Sequence, residues 1–359
     1  MAFISITSPH SHRANSTAGV MQQLLLATLP GVLALFWFFG SGILIQLALS
    51  ITTAVLCEAG ILYLRKKPIA FYLKDYSAVV TAVLLALAIP PIAPWWIIVI
   101  GTGFAMVFAK HLYGGLGSNP FNPAMVGYAF LLISFPLQMT TWLPAEGNFG
   151  ANTGLENTLQ MVFSGNMDSA NSDGVSNIDA FSGATPLDEL KTQLDLEQST
   201  AILQQPGVFD GLLAGAGWDW VNIGFLIGGI YLIWRKIISW HIPVGFLAGL
   251  GILALAFNLY QPADYASPLF HWFSGGCMLG AFFIATDPVS AATSDKGRFI
   301  YGFLIGLLIY IIRTFGGYPD AVAFSVLLLN LAAPTIDYYT QPRSYGHDKP
   351  NRGTAKKDS

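Results

Sequence analysis

Charge is what this sequence has least of. Only 10% of its 359 residues are Asp, Glu, Lys or Arg, while 53% are hydrophobic. A soluble globular domain carries about 25% charged residues. Too little polar surface is left to wrap one core in water, and the apolar residues stand in long runs, as bilayer-spanning helices require. The net charge of −3 offers no basic surface, so no nucleic-acid partner is expected. Cysteine is almost missing too. Cys57 and Cys277 are too few and too far apart for a disulfide framework or a thiolate-held metal or iron–sulfur site; both lie in apolar runs and read as small buried hydrophobes. No other metal-ligand cluster and no nucleophile–base pair stands out, so no side-chain catalysis is expected. No cleavable leader is expected either. A polar stretch with His10, His12 and Arg13 precedes the first apolar run, and no small-residue cleavage site follows it, so that run is expected to stay as a membrane helix.

What the sequence does have is about ten apolar segments near the 17–25 residues of a span. They predict helices near 20–39, 42–64, 76–91, 94–113, 123–140, 219–234, 241–260, 269–286, 298–315 and 319–339. The fold class expected is an all-α integral membrane protein with one large outer loop. Its parts are a cytoplasmic N-terminal segment (1–19), a first five-helix bundle (20–140), a loop (141–218), a second five-helix bundle (219–339) and a cytoplasmic tail (340–359). Lysine and arginine orient it, because cytoplasmic loops retain them. With the N-terminus inside, Arg13, Arg65, Lys66, Lys67, Lys74, Lys110, Arg235, Lys236, Lys296, Arg298, Arg343, Lys349, Arg352, Lys356 and Lys357 fall inside. Of the 17 cations, only Lys191 and Arg313 fall outside. The loop, rich in Asn, Ser and Gly, then faces the periplasm of a bacterial inner membrane. Gly147 to Asn177 reads as flexible, and helices are expected at Leu187–Leu196 and Ser199–Gln205. A six-residue echo, Asn119 to Ala124 against Asp287 to Ala292, is compatible with an internal duplication and with coincidence.

The loop carries Asp179-Ala180-Phe181-Ser182-Gly183-Ala184-Thr185-Pro186. Residue by residue it is a small-residue turn opening a helix. Pro186 suits the first helical position, Thr185 the N-cap and Asp188 the acid of a capping box. Taken alone, the segment is a capped loop helix.

Ser182-Gly183-Ala184-Thr185 with Asp179 upstream resembles the flavinylation motif of the membrane subunits of Rnf-type electron transport complexes and sodium-translocating NADH:quinone reductases. The ten-helix plan, the loop after the fifth helix and Ser8-Pro9-His10-Ser11-His12 extend the likeness, which is closer to the Rnf D subunit than to its quinone-reductase counterpart. The resemblance implies FMN in phosphoester linkage to Thr185, installed by a separate flavin transferase. It also implies riboflavin within the membrane domain, and partner subunits that handle ferredoxin and NAD while the complex moves ions. Asn119 and Asn122 are candidate riboflavin contacts, since amides donate to and accept from a flavin's polar edge; Asp287 and Ser290 are the echo positions.

Glu58 is the clearest ionisable group inside a span, with an ion or proton path and a hydrogen bond to a partner subunit as its two readings and Arg65 as a neighbour to pair with. Asp287 is a second ion-path candidate. Lys110, His111, Asp320 and Asp337 read as interfacial, and the tryptophans, Trp142 and Trp218 among them, as an interfacial belt. Two rival readings stand beside the redox one: a flavin-free solute transporter or channel, for which broken helices in two halves would serve equally, and a structural scaffold for redox partners.

Overall fold

The computed structural model describes residues 16–143, 145, 155–164, 185–195, 209, 211–318 and 320–342. Every regular element among them is helical. In chain order these are α1 (Thr17–Phe39), α2 (Gly42–Leu64), α3 (Ile69–Leu73), α4 (Ser77–Ala86), α5 (Trp95–Phe104), α6 (Pro123–Ser134), α7 (Pro136–Thr140), α8 (Leu155–Ser164), α9 (Pro186–Asp195), α10 (Trp218–Trp234), α11 (His241–Tyr260), α12 (Pro268–Phe273), α13 (Cys277–Leu279), α14 (Asp295–Phe315) and α15 (Val322–Thr340). π-Helical turns extend α5 through Ala105–His111 and α13 through Gly280–Ile284.

Five helices, α1, α2, α11, α14 and α15, are long and apolar enough to cross a membrane, and four shorter apolar segments stand at Ser77–Ala86, Trp95–His111, Pro123–Ser134 and Trp218–Trp234. The expected third, fifth and eighth runs are therefore not single rods. The third stops at Ala86, before Pro90 and Pro91. The fifth breaks at Phe135, the residue before Pro136, where proline disfavours helical backbone. The eighth breaks over Ser274-Gly275-Gly276, with Gly275 at φ +60°. The stretch expected to be flexible, Gly147 to Asn177, contains the helix α8, whose Thr158 hydroxyl accepts from Ser41 at the α1–α2 turn. The helix expected at Ser199–Gln205 lies outside the described residues, as do Ser182, Gly183 and Ala184.

Packing repeats in two halves. α1 lies on α10 and α6 on α15, while α2 packs with α5 in the first half as α11 packs with α14 in the second. Gly245, Gly249, Gly302 and Gly306 bring α11 and α14 into backbone contact; a Cβ at Gly306 would overlap the Phe246 carbonyl oxygen. Small residues four apart are how membrane helices approach closely. The third segment of each half is interrupted at a left-handed residue, Tyr76 (φ +60°) before α4 and Gly275 before α13. In this correspondence α6 matches α15, so Asn119–Ala124, which precedes α6, does not match Asp287–Ala292, which precedes α14. The six-residue echo does not join equivalent positions; the repeat is in the packing.

Candidate functional site

Thr185 caps α9 as its sequence predicts. Its hydroxyl donates to Asp188 Oδ2 at 2.5 Å and accepts from the Asp188 amide at 3.2 Å, and its carbonyl accepts from Glu189 at 2.9 Å. α9 is seated by its apolar face: Leu187 and Leu190 are buried against Phe209, Ala214, Ala266 and Phe270. The Lys191 ammonium donates to the Gly316 carbonyl in the α14–α15 turn. Burial pushes the Asp188 carboxyl above its ordinary range, against the lowering effect of the Thr185 hydrogen bonds.

Thr185, Leu187 and Asp188 form one wall of a cleft of about 80 Å³ between the two halves. Leu87, Met125, Tyr128, Leu132 and Trp142 face it from the first half, and Trp218, Gly275, Gly276, Ile284, Asp320 and Val322 from the second. Trp142 and Trp218 are therefore not belt residues. They are buried, their rings meet edge-on at 4.9 Å, and each meets Phe39. A polar cluster supports the cleft from the second half. Buried Arg313 donates to the carbonyls of His271 (2.8 Å) and Ser274 (3.3 Å) and pairs with Asp320 at 3.1 Å. Asp320 in turn accepts from the Gly276 amide at 2.9 Å. Asn222 completes the repair of the break: its amide donates to the carbonyls of Trp218, Phe273 and Gly275 and accepts from Met278. Interrupted backbone at membrane depth survives only with such partners. Asp320 is thus a structural partner of Arg313 rather than an isolated interfacial group.

The first half carries the counterpart at its other end. Lys110 donates to Glu58 Oε1 at 2.8 Å and to Ser77 Oγ at 2.7 Å beside the Tyr76 break. Asp75 accepts from the Ser77 amide at 2.7 Å. Arg65 is not the partner of Glu58, and Lys110 and His111 are not interfacial, for both are buried. A carboxylate at this depth needs a cation from a packed neighbour, and Lys110 on the π-turn supplies it.

Asn122 and Asn119 lie away from Thr185. Asn122 caps α6, accepting from the Ala124 (3.0 Å) and Met125 (3.3 Å) amides, and its own amide donates across the halves to the Ile284 carbonyl at 3.2 Å. The Asn330 amide, oriented to satisfy its neighbours, accepts from the Asn122 N–H at 3.0 Å and donates to the Tyr301 hydroxyl. Asn119 donates to the Phe121 carbonyl, and its buried Oδ1 has no partner among the described residues. Met125 and Ile284, both held by Asn122, also line the Thr185 cleft. The cleft therefore links the two candidate regions without bringing their side chains into contact. Asp287 accepts from Ser290 at 2.7 Å on the same end as Asn122 and has no contact with Glu58.

The sequence reading missed Arg313, Asn222, Tyr128 and the Lys110–Glu58 pair. Asn222 and Arg313 within apolar runs were the available signal, since polar groups there must be matched by a partner.

A family model described as the NQR2, RnfD, RnfE family matches residues 4–346. The chain is 57% identical over 355 residues, 99% of its own length and all of the relative's, to the D subunit of the ion-translocating oxidoreductase complex of Alcanivorax borkumensis. It is 52% identical over 351 residues to the protein of that description in Salmonella paratyphi A (97% of this chain, all of the relative), and 54% identical over 343 residues to that of Yersinia pseudotuberculosis (95% and 97%).

Proposed function

The chain belongs to the NQR2, RnfD, RnfE family, and from that premise we propose that it is the flavin-carrying subunit of a redox-driven ion pump. FMN is joined by a phosphoester to Thr185, and riboflavin is held near Asn119 and Asn122. The observation that carries this is the position of Thr185, a hydroxyl on the wall of an apolar, aromatic-lined cleft that reaches the backbone held by Asn122. The residues fit the group. Trp142, Trp218 and Tyr128 offer flat aromatic surface to a ring system, Val322 adds apolar contact, and the N-terminus of α9 favours the phosphate. Bound flavin supplies the electron-carrying chemistry, and the protein positions and tunes it. Esterification removes the proton that Thr185 donates to Asp188.

The remaining parts follow from the same reading. Ten segments cross a bacterial inner membrane, the short and broken ones completing the five long spans. The N-terminus and tail are cytoplasmic and the loop periplasmic. A separate flavin transferase installs FMN, and other subunits bring the sites for ferredoxin and NAD.

The test is direct. Expressed with the transferase, denatured protein keeps flavin fluorescence on a gel, Thr185→Ser keeps it and Thr185→Ala loses it. A phosphoester-linked FMN mass appears on the peptide containing Ser182–Thr185. Fluorescence that survives Thr185→Ala would falsify the attachment site.

A further inference from the structure

A second cleft, of about 560 Å³, opens at the opposite end of the molecule from Thr185. It lies where α2 ends and between that end, α3 and the Gly114-Gly115 turn. Arg65, Lys67 and Lys74 line it, and none of the three forms an ion pair among the described residues. Glu58 on its inner wall is already neutralised by Lys110. Three cations therefore face the single remaining carboxylate, that of Asp75, which accepts from Ser77. The balance favours an anion and opposes entry of a metal cation. Lys67 is held over the Tyr72 ring at 5.3 Å, which fixes its ammonium at the mouth.

The surroundings say which anion. Arg65 follows the last residue of a helix long and apolar enough to span a membrane. Phe71, which lines the cleft, is 73% exposed, and Tyr63 (74%) and Leu64 (79%) lie between the lining residues Leu62 and Arg65 in the last turn of α2. A site for a water-borne ion has no use for that apolar rim, whereas a headgroup site needs it for acyl chains. We propose that this cleft binds the phosphate of an anionic phospholipid, with Arg65, Lys67 and Lys74 on the headgroup and Tyr63, Leu64 and Phe71 along its chains. This proposal stands independently of the flavin reading.

The test uses the assembled complex in phosphatidylcholine vesicles doped with a photoreactive phosphatidylglycerol or a photoreactive phosphatidylcholine, with adducts mapped by mass spectrometry. The phosphatidylglycerol probe labels the 62–74 segment about tenfold above the phosphatidylcholine probe. Unlabelled phosphatidylglycerol competes and inorganic phosphate does not. The variant carrying Arg65→Gln, Lys67→Gln and Lys74→Gln falls to the phosphatidylcholine level, while Lys296→Gln, outside the cleft, labels as the native protein does. Each single Gln variant is measured as well and loses part of the signal, so a triple variant that misassembles does not decide the outcome. Equal labelling by both probes overturns the proposal, as does unchanged labelling in the variants or displacement by phosphate. Absence of any adduct, as from a partner subunit covering the mouth, overturns it too.

Discussion

Glu58 and Lys110 are 52 positions apart and meet at 2.8 Å with side chains only 3% exposed. Removing one member of such a pair leaves an uncompensated buried charge, at a cost of about 3–5 kcal/mol, whereas an apolar pair of similar volume is often neutral. Lys110→Met alone therefore lowers the melting temperature of the detergent-purified protein sharply, and Glu58→Leu combined with Lys110→Met restores most of it. Ion transport by the complex carrying the double variant then tests the ion-path reading of Glu58. Retention assigns the pair to structure, and loss in a stable protein assigns Glu58 to the ion path. Glu58 itself was legible as an intramembrane carboxylate, but its partner was not. Pairing across 52 residues depends on how α2 meets the π-turn of α5, and neither apolar periodicity nor spacing encodes that contact. Thr185 shows the opposite case. Its cap is built from Pro186 and Asp188 within three positions, so the local sequence was enough.

Single elements show where pattern reading succeeds and where it stops. The uninterrupted spans α2 and α11 coincide with their apolar runs, because a helix in hydrocarbon needs little beyond length and hydropathy. The breaks at Phe135 and Gly275 left only Pro136 and a Gly-Gly pair as signals, and their effect depends on the groups that take up the freed backbone, such as Asn222 and Asp320. The α11–α14 contact went unread in the sequence, although Gly245/Gly249 and Gly302/Gly306 carry it. Gly306→Val forces a side chain against the Phe246 carbonyl and costs about 1–3 kcal/mol. Gly60→Val, with open space around its Cβ, changes little. Thermal unfolding of the two variants checks the contrast. α9 carries a pH dependence. Burial raises the Asp188 carboxyl above its unfolded value of 3.8, so the seated helix binds the proton more tightly than the unfolded one. The stabilisation is fully present below the unfolded value and is lost as pH rises through the raised folded value. Exchange protection of the α9 amides, corrected for intrinsic rates, therefore falls over that window, and Asp188→Asn flattens the response.

At the scale of the whole molecule the proposed function turns on which end faces the cytoplasm, because the proposed flavin transferase would have to reach Thr185. The described cations separate by end. Lys66, Lys67 and Lys74 stand at the end where α2 finishes, and Arg235, Lys236, Lys296 and Arg298 cluster where α10 finishes and α14 begins. α1 and α10 run side by side with Gln23, near the start of α1, bonded to Tyr231, near the end of α10. The two cationic turns therefore share the end from which α1 starts. The other end holds Lys191 and Arg313, each committed to protein carbonyls. Translocating a lysine or arginine is costly, so the proposed orientation keeps the crowded end inside. Cys57 is half-buried and Cys277 fully buried, so both are replaced by serine and one reporter is added at a time. A membrane-impermeant maleimide labels Thr192→Cys, on α9, in intact spheroplasts and spares Lys296→Cys. In inside-out vesicles the pattern reverses. Labelling of Lys296→Cys from outside would put Thr185 on the cytoplasmic side and remove the physical basis for a periplasmic flavin.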